Sequence, residues 1–101
     1  MTMVCHTVLW TLHDPARAAD FRAELLRCRS LVPGLRRFDV GVRASGLPAS
    51  VDVALVAWFE DAAALAAYQD HPTHRAVSAR LAPWRRERYV LDFAMESNPG
   101  V

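Results

Sequence analysis

A strand predicted at residues 51–59 is apolar on both of its faces, and this feature constrains the fold most. Side chains alternate between the two faces of a strand, so an antiparallel sheet with one wet face shows alternating apolar and polar residues. This segment instead carries one apolar row on each side. The two rows are Val53, Leu55, Ala57 and Phe59, and Ala54, Val56 and Trp58. A sheet that contains this strand must therefore be covered on both faces.

The patterns along the chain predict the order β-α-β-β-α-β, with the second helix split in two. Asp14 and Pro15 are typical of an N-cap and a first helical residue. Pro72 divides the second helical region, because the residue before a proline avoids the helical conformation. We expect strands at 3–12, 35–43, 51–59 and 88–95, and helices at 15–31, 61–69 and 72–82. This order is typical of the α+β, ferredoxin-like fold, a four-stranded antiparallel sheet with helices on one side.

The length of 101 residues is sufficient for one domain with a small core. We assign residues 1–96 to this domain and residues 97–101 to a loose C-terminal tail. Because the helices cover only one face of the sheet, a second copy of the same sheet is the simplest cover for the other. We therefore expect a homodimer, a dimeric α+β barrel with its two sheets face to face. A monomer with a few exposed apolar residues is the alternative.

The composition excludes several classes of partner. The formal net charge is +1 and the arginines are dispersed, so nothing favours nucleic acid or a membrane surface as a partner. No apolar run is long enough for a membrane span, and the N-terminus has no signal-peptide pattern. Cys5 and Cys28 lack the spacing of metal ligands and are typical of reduced core residues. We expect a cytoplasmic protein.

The residues most capable of chemistry lie in the segment 68–74, Tyr-Gln-Asp-His-Pro-Thr-His. It holds a tyrosine and two of the four histidines. His74, Val77 and Leu81 recur at helical spacing, so His74 begins the apolar face of its helix rather than the wet one. Tyr68 lies on the apolar face of the preceding helix. Purely structural roles are the alternatives: His74 as a hydrogen-bonded residue near a helix start, and Tyr68 as a packed core residue.

The other histidines are weaker candidates. His6 shares a strand face with Val8 and Trp10, and alternation along the strand does not decide whether that face meets the helices or a partner subunit. His71 precedes Pro72, which favours a structural role at the start of a helix. A metal site needs three or four converging ligands, which this spacing does not predict. No glycine-rich phosphate loop is present, and we expect no cofactor.

Four segments resemble the stress-responsive A/B barrel (Dabb) family of dimeric α+β barrels. They are the opening strand 4–9 with its histidine, the turn 32–35 (Val-Pro-Gly-Leu), the strand 54–59, and the segment 65–74 followed by the strand 90–93. The Tyr-x-x-His-Pro-x-His pattern is the most specific of these. The resemblance covers nearly the whole chain and implies a dimeric barrel of ferredoxin-like subunits.

The resemblance implies more than one function, because members of this family differ in activity. Some are known only as stress-linked proteins, and a plant member closes a polyketide ring by aldol chemistry without a cofactor. A histidine and a tyrosine carry that reaction, and they match His74 and Tyr68. A further histidine of its pocket matches His6.

Aldol closure needs a base that takes a proton α to a carbonyl and a donor that stabilises the resulting oxyanion. We expect His74 to be the base and Tyr68 the donor, with His6 and His71 as polar contacts to the substrate. An apolar pocket would fold the substrate, a small hydrophobic or polyketide-like molecule. Its expected apolar residues are Phe21, Leu25, Val77 and Leu81. The alternatives are a non-catalytic stress-linked or ligand-binding barrel and a cofactor-independent monooxygenase.

Overall fold

The computed structural model describes residues 2–96, which form a four-stranded antiparallel sheet and three α-helices. The strands are β1 (Val4–Leu12), β2 (Leu35–Val42), β3 (Val53–Phe59) and β4 (Arg85–Ala94), and the helices are α1 (Ala18–Leu25), α2 (Ala62–Asp70) and α3 (Pro72–Leu81). The strand order across the sheet is β2-β3-β1-β4. The ferredoxin-like α+β fold predicted from the sequence is therefore confirmed. The predicted tail, residues 97–101, lies outside the described residues.

Strand β1 decides which side chains face the helices. It pairs antiparallel with β3 on one side and with β4 on the other. One row of its side chains, His6, Val8, Trp10 and Leu12, is buried against the helices. We call this side of the sheet the covered face and the opposite side the open face. His6 thus lies on the covered face, which alternation along the strand alone left undecided.

The hydrophobic core fills the space between the covered face and the helices. Phe21 of α1, Tyr68 of α2, and Val77 and Leu81 of α3 are all buried there. The thiol of Cys28, which follows α1, is also buried. These residues recur at helical spacing, so each helix turns one apolar stripe to the sheet.

The junction between α2 and α3 follows directly from its sequence. Asp61 begins α2 by accepting a hydrogen bond from the backbone N–H of Ala64 at 2.8 Å. His71 adopts an extended conformation ahead of Pro72 and ends α2. Its ring Nδ1 then accepts the N–H of Thr73 at 3.1 Å and caps α3. The predicted split at Pro72 is present, and it fixes the direction in which α3 leaves α2.

The first helix differs from its predicted form. The sequence predicts one helix over 15–31, whereas the α-helical part spans only Ala18–Leu25. It is flanked by 3₁₀ turns at Pro15–Arg17 and Leu26–Cys28. The tighter turns arise because the chain must reverse towards β2 before Pro33, where helical conformation is disfavoured.

Strands β3 and β4 begin two and three residues away from the predicted positions. Strand β4 begins at Arg85 rather than at residue 88, because pairing with β1 continues past a register shift up to Leu12. Strand β3 begins at Val53 rather than at residue 51. The residue before it, Asp52, is buried and uses its carboxylate to accept the N–H of Leu12 at 2.8 Å and to bind Arg43 at 2.9 Å.

The open face carries a row of large apolar side chains. On β4, Tyr89, Leu91 and Phe93 are 50%, 63% and 45% exposed. Trp58 of β3 lies on the same face, with the Arg37 guanidinium 5.0 Å above its ring. Across the described residues, none of the helices combines the length and the apolar composition that a membrane crossing requires.

Candidate functional site

A cavity lies between the covered face and the helices, at the end of the sheet where α3 passes β1. The enclosed part of the cavity has a volume of about 50 Å³. The volume is about 420 Å³ when the space at its solvent-open mouth is included. The interior therefore takes a short chain or a few water molecules, and a larger ligand must extend into the mouth. Six of the predicted site residues line it: His6, Leu25, Tyr68, His74, Val77 and Leu81.

Two predicted site residues lie elsewhere. Phe21 is fully buried and packs edge-on against the indole of Trp10, with 5.1 Å between ring centroids. His71 caps α3 through its ring Nδ1. The structure thus gives Phe21 a packing role and His71 a capping role, in place of the predicted contacts with a ligand in the cavity.

Tyr68 joins the two histidine rings of the cavity. Its ring centroid lies 4.7 Å from that of His74 and 6.3 Å from that of His6, both at steep interplanar angles. Phe59 packs against its other side at 5.0 Å. Such edge-to-face contacts fix the orientation of the rings. The motif residues and the first-strand histidine, far apart in sequence, therefore meet at one place.

The electrostatic environment keeps the Tyr68 hydroxyl neutral. Tyr68 is only 1% exposed, and burial raises the pKa of its phenol well above the usual value. The neighbouring Cys28 thiol adds to this rise. Burial likewise raises the pKa of the Cys28 thiol, so this sulfur stays protonated and is a poor nucleophile. Tyr68 is thus a hydrogen-bond donor at physiological pH.

The environment of His74 favours its uncharged form. Burial lowers the pKa of His74, and the charges of His6 and Arg88 lower it further. The carbonyl of Gln69 opposes this shift by accepting a hydrogen bond from the ring. A neutral imidazole that donates through one nitrogen has a free lone pair on the other. His74 can therefore accept a proton near neutral pH.

Asp92 is a site residue that sequence reasoning missed. Its carboxylate forms a hydrogen bond with Nδ1 of His6, which lies directly opposite on β1. This contact fixes the ring and leaves Nε2 for the cavity. A signal was present in the sequence, because Asp92 is the one acidic residue within the predicted last strand, 88–95. Without the strand register, however, no partner could be assigned to it.

Arg85 and Arg88 line the mouth of the cavity and were also absent from the predicted site. Among the side chains that line the cavity, none is acidic. Within residues 2–96, no three histidine, cysteine or acidic side chains gather as metal ligands. The polar groups of the cavity are therefore imidazole, phenol and guanidinium groups, together with the indole of Trp10, the thiol of Cys28 and the hydroxyl of Ser78.

The family model described as the stress responsive A/B barrel domain, Dabb, matches residues 4–95. The chain belongs to this family. The resemblance seen in the sequence is thereby confirmed over nearly the whole chain. A search among curated proteins found no match.

Three solved structures place this family member among its structural relatives. A dimeric ferredoxin-like protein of unknown function from Thermobifida fusca YX has a TM-score of 0.82 and 28% identity, covering 93% of this chain and 92% of its own. A Dabb family protein from Mesorhizobium loti has a TM-score of 0.76 and 24% identity over 96% and 100% of the two chains. SnoaB, a cofactor-independent oxygenase from Streptomyces nogalater, has a TM-score of 0.77 and 16% identity over both whole chains. The fold is thus shared by an oxygenase and by a protein of unknown function, so it does not by itself assign an activity.

Proposed function

We propose that this Dabb protein is a cofactor-free enzyme that moves a proton at the carbon α to a carbonyl, as in the aldol closure of a polyketide-like molecule. One observation carries the proposal. The imidazole of His74, whose pKa is lowered, and the phenol of Tyr68 have ring centroids 4.7 Å apart, and both line the same cavity. A base beside an oxyanion donor is what this reaction requires.

The reaction follows from the protonation states of the two groups. The free nitrogen of His74 takes the α proton, and the electron pair of the broken C–H bond moves to the carbonyl oxygen as an enolate. The Tyr68 hydroxyl donates a hydrogen bond to this oxygen. The enolate carbon then bonds to a second carbonyl of the same molecule, and the imidazolium of His74 returns its proton to the new alkoxide. No atom is lost, and no oxidant or reductant is needed.

The apolar walls assist both steps. Leu25, Val77 and Leu81 exclude water, so the hydrogen bond from Tyr68 acts in a low dielectric. A general base contributes about 10² to 10⁴ in rate, and a single oxyanion donor about 10² to 10³. His6, held by Asp92, is a polar contact for a further oxygen of the substrate.

We infer that the functional unit is a homodimer formed through the open face. Exposure of Tyr89, Leu91 and Phe93 supports this, since monomers rarely leave such a row in water. The relatives from Thermobifida fusca and Bacteroides fragilis are described as dimeric. A cytoplasmic location stays a prediction of the sequence.

The test is turnover of a synthetic linear poly-β-keto thioester, followed by mass spectrometry of the cyclised product. We expect His74→Ala to lower turnover by at least about 100-fold. His13→Ala is the matched control, because His13 is exposed and does not line the cavity. Equal turnover by wild-type protein and the His74→Ala variant would reject the assigned base.

Two other outcomes would replace the proposal. Oxygen uptake with a phenolic substrate, measured with an oxygen electrode, would favour the activity that SnoaB is described as having. Saturable binding of the trial substrate with no product under any condition would favour a ligand-binding barrel.

A further inference from the structure

The mouth of the cavity is positively charged and lacks a counter-charge. Arg85 and Arg88 line it together with His74, and no aspartate or glutamate does so. The nearest acidic groups on β4 are already occupied. Asp92 binds His6, and Glu87 accepts hydrogen bonds from Thr11 at 2.9 Å and Tyr89 at 2.6 Å.

A β-bulge brings the two arginines to the same face. Residues three apart in a regular strand point to opposite sides of the sheet. Here Arg88 lies opposite Trp10, whereas Arg85 lies opposite Leu12, because the register shifts between Thr11 and Leu12. Both β1 partners belong to the covered face, so both guanidinium groups leave the sheet on that side. Bulges that redirect a side chain in this way are frequent beside functional sites.

The two guanidinium groups differ from most others in the molecule. Within residues 2–96, neither Arg85 nor Arg88 has a hydrogen-bond or ion-pair partner. The arginines that do have one are Arg17, Arg22, Arg27, Arg36, Arg37, Arg43, Arg75 and Arg80. Arg85 is also half-buried, which is costly for an uncompensated cation.

The indole N–H of Trp10, opposite Arg88 on the neighbouring strand, is a hydrogen-bond donor without an acceptor in the described part of the chain. Trp10 lines the cavity, and its indole Nε1 is the only buried side-chain nitrogen or oxygen of the described residues that lacks a hydrogen-bond partner. A buried donor without a partner is expensive, and an acceptor oxygen brought by a ligand would satisfy it. Trp10 stands opposite Arg88, so one anionic group can reach this part of the site.

We propose that Arg85 and Arg88 form a carboxylate-binding subsite at the mouth of the cavity, so that the ligand is an amphipathic acid. Its apolar chain enters among Leu25, Val77 and Leu81, and its carboxylate remains at the mouth. Guanidinium groups bind carboxylates through paired, charge-assisted hydrogen bonds. This inference rests on the proposed function for the placement of the chain, and it names the class of molecule that the site accepts.

The test compares an acid with its neutral analogue. Binding of hexanoate and of hexanol is measured by isothermal titration calorimetry and by intrinsic tryptophan fluorescence. We expect hexanoate to bind at least about tenfold more tightly than hexanol to the wild-type protein, since one charge-assisted contact contributes enough for this ratio. In the double variant Arg85→Gln/Arg88→Gln, hexanoate affinity should fall to that of hexanol, with hexanol binding unchanged.

Arg86→Gln is the control for loss of positive charge, because it removes one guanidinium from the same strand at a residue that does not line the cavity. It should retain the preference for hexanoate. Equal binding of the acid and the alcohol by wild-type protein would overturn the subsite, as would no hexanoate binding or an equal loss in Arg86→Gln. If acetate bound as tightly as hexanoate, the subsite would recognise any small carboxylate. That result would overturn the proposal that the ligand is an amphipathic acid.

The two proposals fail in different ways. A hexanoate preference that depends on Arg85 and Arg88, in a protein that turns over no poly-β-keto substrate, keeps the subsite and removes the enzyme. Turnover that depends on His74, with no preference for the acid, keeps the enzyme and removes the subsite.

Discussion

The covered and open faces of the sheet are both apolar, yet they carry different chemistry. On the covered face, the buried imidazole of His6 is hydrogen-bonded to the partly exposed carboxylate of Asp92, beside the phenol of Tyr68. On the open face, Leu91 and Phe93 are exposed to water, and the polar groups of that face, such as Glu87, are exposed as well. One face buries polar groups that a stable core does not need, and the other exposes apolar groups that a stable monomer does not need.

Each departure costs free energy, and this is why the comparison is informative. A buried polar group is removed from water at a cost that its hydrogen bonds offset only in part, and an exposed apolar side chain forgoes about 1.5 to 3 kcal/mol of burial free energy. A fold selected only for stability would carry apolar residues in place of the buried polar ones and polar residues in place of the exposed apolar ones. We therefore assign chemistry to the covered face and association to the open face.

Disrupting the open face should give the largest effect. Leu91→Arg places a guanidinium on the apolar open face of each subunit, where a dimer formed through that face would bury it without a partner. We expect the dissociation constant of the dimer to rise by about 10³-fold or more, and light scattering to report the mass of one chain, 11.3 kDa.

Val90→Arg is the matched control for this experiment. Val90 is its neighbour on β4 and is 50% exposed, but it lies opposite Val8 and so belongs to the covered face. It should leave the dimer intact. A wild-type protein that is already monomeric at micromolar concentration would remove the distinction between the two faces.

The same substitution on the two faces should then separate chemistry from packing. Tyr68→Phe removes the oxyanion donor of the cavity, and we expect turnover to fall by about 100-fold. Its free energy of unfolding should change by only about 1 kcal/mol, because the neighbouring Cys28 thiol is a weak partner.

Tyr89→Phe removes an equivalent hydroxyl from the open face, where it donates to Glu87 in an exposed position. We expect no change in turnover beyond about twofold, since exposed contacts of this kind contribute little. Equal losses in the two variants would show that Tyr68 acts through packing and not through its hydroxyl.

The fold was predictable because its signals are local and repeated. The helix starts at Asp61 and Pro72 and the two-sided apolar strand depend on residues close together in sequence. The motif residues Tyr68 and His74 were also visible, since helical spacing placed His74 on an apolar face. Only the structure shows that both residues line the same cavity.

The rest of the site was not predictable because it depends on strand register. Asp92 meets His6 across 86 residues of sequence, and only the pairing of β1 with β4 brings them together. Arg85 and Arg88 appear on opposite faces when alternation is counted along the strand, and the bulge opposite Leu12 reverses this. One extra residue at a bulge moves every later residue of the strand to the opposite face. Sequence patterns do not show where such a bulge lies.

The most direct test of the covered face as a site of chemistry is the pKa of His74 itself. It can be measured by nuclear magnetic resonance of ¹⁵N-labelled imidazoles, with His74→Gln assigning the signal. Burial and the nearby cations lower this pKa below its ordinary value of 6.5, so the ring is neutral, and active as a base, as pH rises through that lowered midpoint. We expect the midpoint in the folded protein to lie below that of His74 in the urea-unfolded chain. A midpoint at or above the unfolded value would mean a charged, solvated imidazole and would contradict the assignment of the base.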